Sequence, residues 1–329
     1  MSVVNAPAAT ITRARDPRVR LILIGAILAV AIVAFLFLFV RGSFAFALPR
    51  RATMLGAMAI AAFAQGVGTV VFHTVTQNRI LTPSIMGFDS MYALLQTMLV
   101  WFFGGSALAQ TDGLGKLLLQ TALMVVFATL LYRWLFSGTT GSLHVLLLVG
   151  VVFGMAFDSL STFVQRLLDP TDYDMLSVRL FGRLSAMDAT HLPLAAAVCA
   201  GVAVVLWRKR YVLDTLLLGR ETAINLGINY RREMTLMLAL IALLVSFSTA
   251  LVGPLTFYGF MVASITYQIA GTYRHGITMP MAFLFGLVTL VVGQFVLQHV
   301  FYAAGFLTVI IEFVGGLAFL YFLLKRGNL

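Results

Sequence analysis

The stretch LILIGAILAVAIVAFLFLFV, from Leu21 to Val40, is twenty residues long and carries no charge. An α-helix needs about 20 apolar residues to cross a bilayer. We find no small-residue cleavage site after the run, so we predict a first membrane span rather than a removed signal peptide. Residues 1–20, with four arginines, are then an N-terminal cytoplasmic tail.

Comparable runs recur along the chain, which is 61% hydrophobic and 10% charged, with a mean hydropathy of +0.99. Soluble domains average about 25% charged residues. The pattern predicts an all-α polytopic membrane protein with about ten transmembrane helices in a single domain, 21–325. The expected spans are 21–40, 52–72, 84–103, 114–136, 143–164, 191–207, 234–252, 255–270, 280–302 and 306–324. The short eighth span follows Gly253-Pro254, so we expect an interrupted helix there.

Basic residues are distributed unevenly between the two sides of these spans. Fifteen of the 22 Lys and Arg residues lie on the side of the N-terminal tail. The bias predicts a multi-pass protein of the cytoplasmic (inner) membrane with both termini inside. It also explains the net charge of +10 without nucleic-acid binding.

One polar stretch interrupts the apolar pattern, LDTLLLGRETAINLGIN from Leu213 to Asn229. It contains Asp214 and Glu221, and basic clusters flank it on both sides. A polar helical segment between spans on the basic side of a membrane indicates a docking surface for a cytoplasmic partner. We place this segment at 211–230.

The chain lacks the motifs of several enzyme classes. Its nearest approach to a phosphate loop, Gly113-Leu-Gly115-Lys116, has neither the upstream glycine nor the hydroxyl residue. Zinc-protease and serine-hydrolase motifs are missing too, and Cys199 is the single cysteine. We therefore expect a protein that is not an enzyme, without a metal site or a cofactor of its own.

Ionisable residues within spans are costly, and so each is a functional candidate. A secondary carrier driven by an ion gradient is the alternative function, and it would use Asp158, Glu312 or His299 as a relay. Asp158 is the most internal of these. Four glutamines would either bond helices together, which is the simpler explanation, or line a polar path: Gln65, Gln165, Gln294 and Gln298. For the translocation path we select Asp158, Gln65 and Gln294.

Two arginines, Arg50 and Arg51, lie on the outer side just before the second span. They either anchor the helix end at the interface or dock an acidic extracellular partner. From composition alone, anchoring is the simpler explanation.

Several segments together resemble FecCD-type permeases, the membrane subunits of bacterial ABC importers for iron-siderophores, haem and cobalamin. The similar segments follow in order from about residue 44 to the C-terminus. The family patterns are LPR, NPLAxPxxLG, LGEETAxxLG and GPIGFVG, and the matching segments are Leu48–Arg50, Asn78–Gly87, Leu218–Gly227 and Gly253–Gly259.

The resemblance implies a BtuC-like half-transporter. A second permease subunit, homologous or identical, would complete it, and two cytoplasmic ATPase subunits would bind ATP and Mg²⁺. A substrate-binding protein would deliver the ferric siderophore from outside, with Arg50, and Arg51 beside it, contacting acidic residues of that protein. Ala47 replaces an arginine common in the family motif. By the same resemblance, the residues that face the ATPase are Leu218, Gly219, Glu221, Thr222, Ala223, Leu226 and Gly227.

Departures from the family patterns bear on the substrate. The His and Arg found after GPIGFVG in many members are absent from 263–268, and residues 304–308 replace an outer ELPVG. The run YQIAGTYRH, from Tyr267 to His275, is instead similar to the catecholate and mixed-siderophore branch. That branch includes enterobactin, petrobactin and anguibactin importers.

Overall fold

A computed structural model describes residues 16–40, 43–106, 113–136, 143–181, 189–301 and 307–326. Within these ranges the chain forms α-helices, a π-helical turn at Ala62–Val67, and 3-10 turns at Ser84–Met86 and Ala189–His191. The helices are α1 Pro17–Phe37, α2 Phe44–Ala61, α3 Gly68–Thr76, α4 Phe88–Phe103, α5 Leu114–Phe136, α6 Leu143–Gln165, α7 Pro170–Leu180, α8 Leu192–Arg208, α9 Arg210–Leu216, α10 Arg220–Asn225, α11 Tyr230–Val252, α12 Tyr258–Ala270, α13 His275–His299 and α14 Leu307–Arg326.

Apolar helices occupy all ten of the expected span positions. Six helical stretches in the described residues are long and apolar enough to cross a membrane, including the continuous 33-residue helix Phe44–Thr76. At 1.5 Å per residue, α4 and α12 are only about 24 and 20 Å long, and so are shorter than a bilayer core of about 30 Å. The prediction of an all-α bundle with about ten spans is confirmed.

Side-chain contacts identify which helix ends lie together. Arg20 donates a 2.6 Å hydrogen bond to the Ile269 carbonyl, joining the start of α1 to the end of α12. Lys209 forms an ion pair with Glu233, joining the start of α9 to the start of α11. We call the end of the bundle where these two contacts lie the α9 end. Arg51 joins the start of α2 to the end of α1 at the opposite end, which we call the α2 end.

Two irregular segments, 77–87 and 253–257, come together inside the bundle. Thr82 of the first segment donates a 3.4 Å hydrogen bond to the Thr256 carbonyl of the second. At the start of α4, Asp89 Oδ2 accepts from the Thr256 hydroxyl at 2.9 Å and Oδ1 from Thr249 at 3.3 Å. Since α12 is short and ends at the α9 end, its first residues lie part-way through the bundle. Non-helical backbone at this depth is tolerated because it is enclosed by protein. The eighth span is thus a short but continuous helix that begins part-way through the bundle, and the expectation of an interrupted helix was wrong.

The Gly150-x-x-x-Gly154 pattern packs against a turn rather than along a second long helix. A Cβ atom added at Gly154 would lie 3.2 Å from the Cα of Gly87, and one at Gly150 would lie 3.0 Å from Met86 Cε. Gly87 itself has φ of 97°, a conformation that favours glycine. These three glycines let α6 approach the 84–87 turn closely.

Polar side chains bond α4 to α6 further along the two helices. Gln165 Nε2 donates to Thr97 Oγ1 at 3.2 Å and to Ser161 Oγ at 2.9 Å. Thr97 and Ser161 are themselves hydrogen bonded at 2.9 Å. Gln165 therefore bonds helices together, one of the two roles proposed for it above.

Replacing Gly154 by valine tests the close approach of α6. The added atoms meet backbone, so we expect a loss of about 1–3 kcal/mol of stability and a lower Tm of the detergent-purified protein. Gly201→Val on α8 is the matched control, because an added Cβ there has no atom within 4 Å. Equal Tm values for the two variants would contradict this packing.

Candidate functional site

Helix α9 anchors the docking segment 211–230 in the bundle, and α10 lies exposed on the surface. Leu213 and Leu216 of α9 are fully buried in the main apolar core. Asp214 lies between them and turns toward α13, where its Oδ1 accepts the backbone N–H of His275 at 2.8 Å. The segment is consequently a fixed part of the bundle surface.

Gly219 sets the turn between α9 and α10. Its backbone has φ of 96° and ψ of 167°, a region that is essentially restricted to glycine. An added Cβ would have no atom within 4 Å, so the backbone conformation alone requires glycine here.

Gly227 ends α10 in a Schellman motif. Its φ is 82°, and its N–H donates to the Ile224 carbonyl at 2.9 Å. The next N–H, of Ile228, donates to the Ala223 carbonyl at 3.1 Å. This pair of bonds closes the helix in the left-handed conformation that glycine adopts without strain. Two glycines therefore fix both boundaries of α10.

The outward face of the segment is apolar at its edges and polar at its centre. Leu218 and Leu226 are 60% and 62% exposed, and Glu221 and Thr222 are exposed between them. Exposed leucines on an otherwise polar loop suit contact with a protein partner better than contact with water.

The exposure of two residues in this segment differs from what the family pattern implied. Ala223 is 0% exposed, so its side chain faces the bundle interior and not the exposed face of α10. Ile224, the next residue, is 48% exposed and was not among the residues expected to face outward. The family pattern leaves that position unspecified, and only the helical phase of α10, once known, would have placed it outward.

Arg51 is half-buried and binds the end of α1. Its guanidinium donates to the Phe35 and Leu38 carbonyls at 2.7 and 2.8 Å, and it lies 3.4 Å from His299 Nε2. A cation bonded to the last carbonyls of a helix stabilises that helix end. Arg50 is exposed on the same helix, so the docking hypothesis now rests on Arg50.

The three residues selected for the translocation path lie in different surroundings. Asp158 is exposed on α6. Gln65 and Gln294 are only 1% and 5% exposed, within the subunit itself. In this conformation the two glutamines line no accessible surface, because neighbouring helices cover them.

The three residues expected of a proton relay lie on three different helices. His299, on α13, packs between Phe39 and Phe295 at the α2 end. Glu312 lies on α14, which packs against α12 through the contact of Phe319 with Phe260. Asp158 lies on α6.

Comparison with known proteins identifies the family of this chain. A family model described as the FecCD transport family matches residues 40–325. The chain belongs to this family. The match covers every span after the first and the whole docking segment. Its members are permease subunits of ABC importers, so the expectation of a transport component rather than an enzyme is confirmed.

Two relatives match over most of their length. The petrobactin import permease FatC of Bacillus anthracis is 42% identical over 280 residues, covering 85% of this chain and 79% of the relative. The petrobactin import permease YclO of Bacillus subtilis is 37% identical over 301 residues, covering 92% and 96%. The assignment to the catecholate and mixed-siderophore branch is confirmed.

A solved structure shares the fold. It is described as an inward-facing conformation of a metal-chelate type ABC transporter, with a TM-score of 0.77 and 19% identity. The match covers 94% of this chain and all of the other. The BtuC-like helical architecture expected from the sequence is therefore present.

Arg51→Ala tests the contact of this arginine with the end of α1. Loss of its hydrogen bonds to the α1 carbonyls should cost about 1.5–3 kcal/mol and lower the Tm of the purified permease. Arg50→Ala, one residue earlier and exposed, should leave the Tm unchanged. If both variants had the wild-type Tm, the guanidinium would not hold the end of α1.

Proposed function

We propose that this chain is the permease subunit of an ABC importer that carries a ferric siderophore of the mixed catecholate class, such as petrobactin. The observation that carries the proposal is the near full-length match to two petrobactin import permeases. The docking segment adds physical support, because its two glycine-bounded turns hold an exposed helix between spans.

The energy would come from two ATPase subunits that bind ATP and Mg²⁺ and seat on the docking segment. The α9 end would then face the cytoplasm, consistent with the excess of Lys and Arg on that side. Leu218, Ile224 and Leu226 would supply apolar contact, and Glu221 and Thr222 polar contact. A rigid helix in a groove transmits motion between two proteins.

A second permease, identical or homologous, would complete the path at the exposed face of α6. Asp158, Ser159 and Thr162 are all exposed on this helix. A carboxylate facing lipid is costly, whereas one facing a water-filled space is not. We therefore place this face toward the path between the two subunits. The siderophore already saturates the iron, and so the path needs no metal ligands.

Growth on a panel of ferric siderophores tests the substrate. We expect a strain without this gene to lose growth on ferric petrobactin and to keep growth on hydroxamate siderophores. A plasmid copy should restore growth. Unimpaired growth on petrobactin, with loss on a hydroxamate, would overturn the substrate class.

Leu226→Glu tests the contact with the ATPase. A buried carboxylate in an apolar contact should weaken association of permease and ATPase by about tenfold or more. The binding of the two purified proteins measures this directly. Leu167→Glu, at an exposed leucine beyond α6, is the matched control and should bind as wild type. Equal affinity of both variants would contradict the docking assignment.

Arg50→Glu tests docking of the binding protein at the α2 end. Reversing this exposed charge should lower the affinity about tenfold at low salt, and the difference should shrink at high salt. Arg166→Glu makes the same charge change at another exposed position after α6. An Arg50 variant with wild-type affinity at low salt would return Arg50 to membrane anchoring.

A further inference from the structure

A chain of hydrogen bonds joins the docking segment to two transmembrane helices. Asp214 Oδ1 on α9 lies 2.7 Å from His275 Nδ1 and accepts the His275 backbone N–H at 2.8 Å. The other ring nitrogen, Nε2, is 2.7 Å from Thr74 Oγ1 near the end of α3. One imidazole thus connects three elements that are distant in sequence.

His275 is the centre of this chain because it is fully enclosed. It is 1% exposed, and both of its ring nitrogens have partners on different elements. A buried polar group that loses its partner costs about 1–3 kcal/mol. Breaking either hydrogen bond during a movement of α9 would therefore be energetically costly.

Asp214 also caps α13 from outside that helix. The first N–H groups of a helix have no partner within it, and a negative group there is favourable. The carboxylate accepts one of these groups, at His275 itself. The capping ligand of a 25-residue transmembrane helix is thus supplied by the segment that would contact the ATPase.

A second bond strengthens the link to α3. Gln77, directly after α3, donates from Nε2 to the Leu216 carbonyl at the end of α9 at 2.8 Å. Only residues 217–219 separate α9 from α10. A displacement of α10 is therefore passed to α9, and α9 is bonded to both α3 and α13.

We propose that His275 is a positioning residue that transmits movement of the docking segment to α3 and α13, through Asp214 and Thr74. The proposal rests on the proposed function, since it assumes that an ATPase moves this segment. The helices reached in this way lead away from the α9 end. The α3 helix continues the long helix that starts at Phe44, and α13 runs to His299 beside Arg51.

The test is the number of ferric petrobactin molecules imported per ATP hydrolysed by the complete importer in vesicles. Thr74→Val removes the hydroxyl but keeps the shape of the side chain, and Asp214→Ala removes the carboxylate. We expect both variants to hydrolyse ATP when the loaded binding protein is present, with an import ratio several-fold below wild type. Thr74→Ser keeps the hydroxyl and should recover most of the ratio.

Thr278→Val is the matched control. Thr278 is also buried, but among the residues that the structure describes its hydroxyl bonds only to the Arg274 carbonyl of its own helix, at 3.3 Å. Its import ratio should equal that of wild type. The import ratio of the double variant Asp214→Ala/Thr74→Val should equal that of the single variant with the lower ratio, because both changes break the same chain of contacts.

An unchanged import ratio in both single variants would overturn the proposal, even if the yield of assembled importer fell. That result would make the His275 contacts a structural brace. Losses that add in the double variant would overturn it as well. A wild-type importer without ATP-dependent import would instead refute the proposed function, so the two failures are distinguishable.

Discussion

Hydrogen bonding of backbone inside the membrane is the constraint on which the rest of this structure depends. Lipid offers no partners, so a broken helix must be enclosed by protein. Two largely non-helical connections between spans, 77–87 and 253–257, come together beside Asp89. The Thr249 and Thr256 hydroxyls bond that carboxylate, and the glycines of α6 close over the adjacent turn. The short helices α4 and α12 are possible because of this enclosure.

The bundle built around these connections has two chemically different ends. At the α2 end, an arginine holds the last turn of α1, and a second arginine beside it remains exposed. At the α9 end, two glycines fix an exposed helix, and a histidine links its base to the membrane helices. Under the proposed function, the α2 end would receive the substrate and the α9 end would receive the input of energy.

Much of this was predictable from the sequence, for a physical reason. Average hydropathy reports the cost of placing a segment in lipid, so all ten spans and the polar docking segment were found. Hydropathy does not report which way a single side chain faces. Ala223 was therefore assigned to the surface and Ile224 missed, and the burial of Gln65 and Gln294 was not foreseen. The contact of Asp214 with His275 joins residues 61 positions apart, and no local pattern indicates it.

We propose that ATP hydrolysis by a partner, and not an ion gradient, drives import through this chain. The decisive measurement is uptake of ferric petrobactin into vesicles that hold the permease, with and without the ATPase. We expect uptake that requires the ATPase and ATP and that persists when a protonophore collapses the proton gradient. Uptake that proceeds without the ATPase and stops with the protonophore would contradict it.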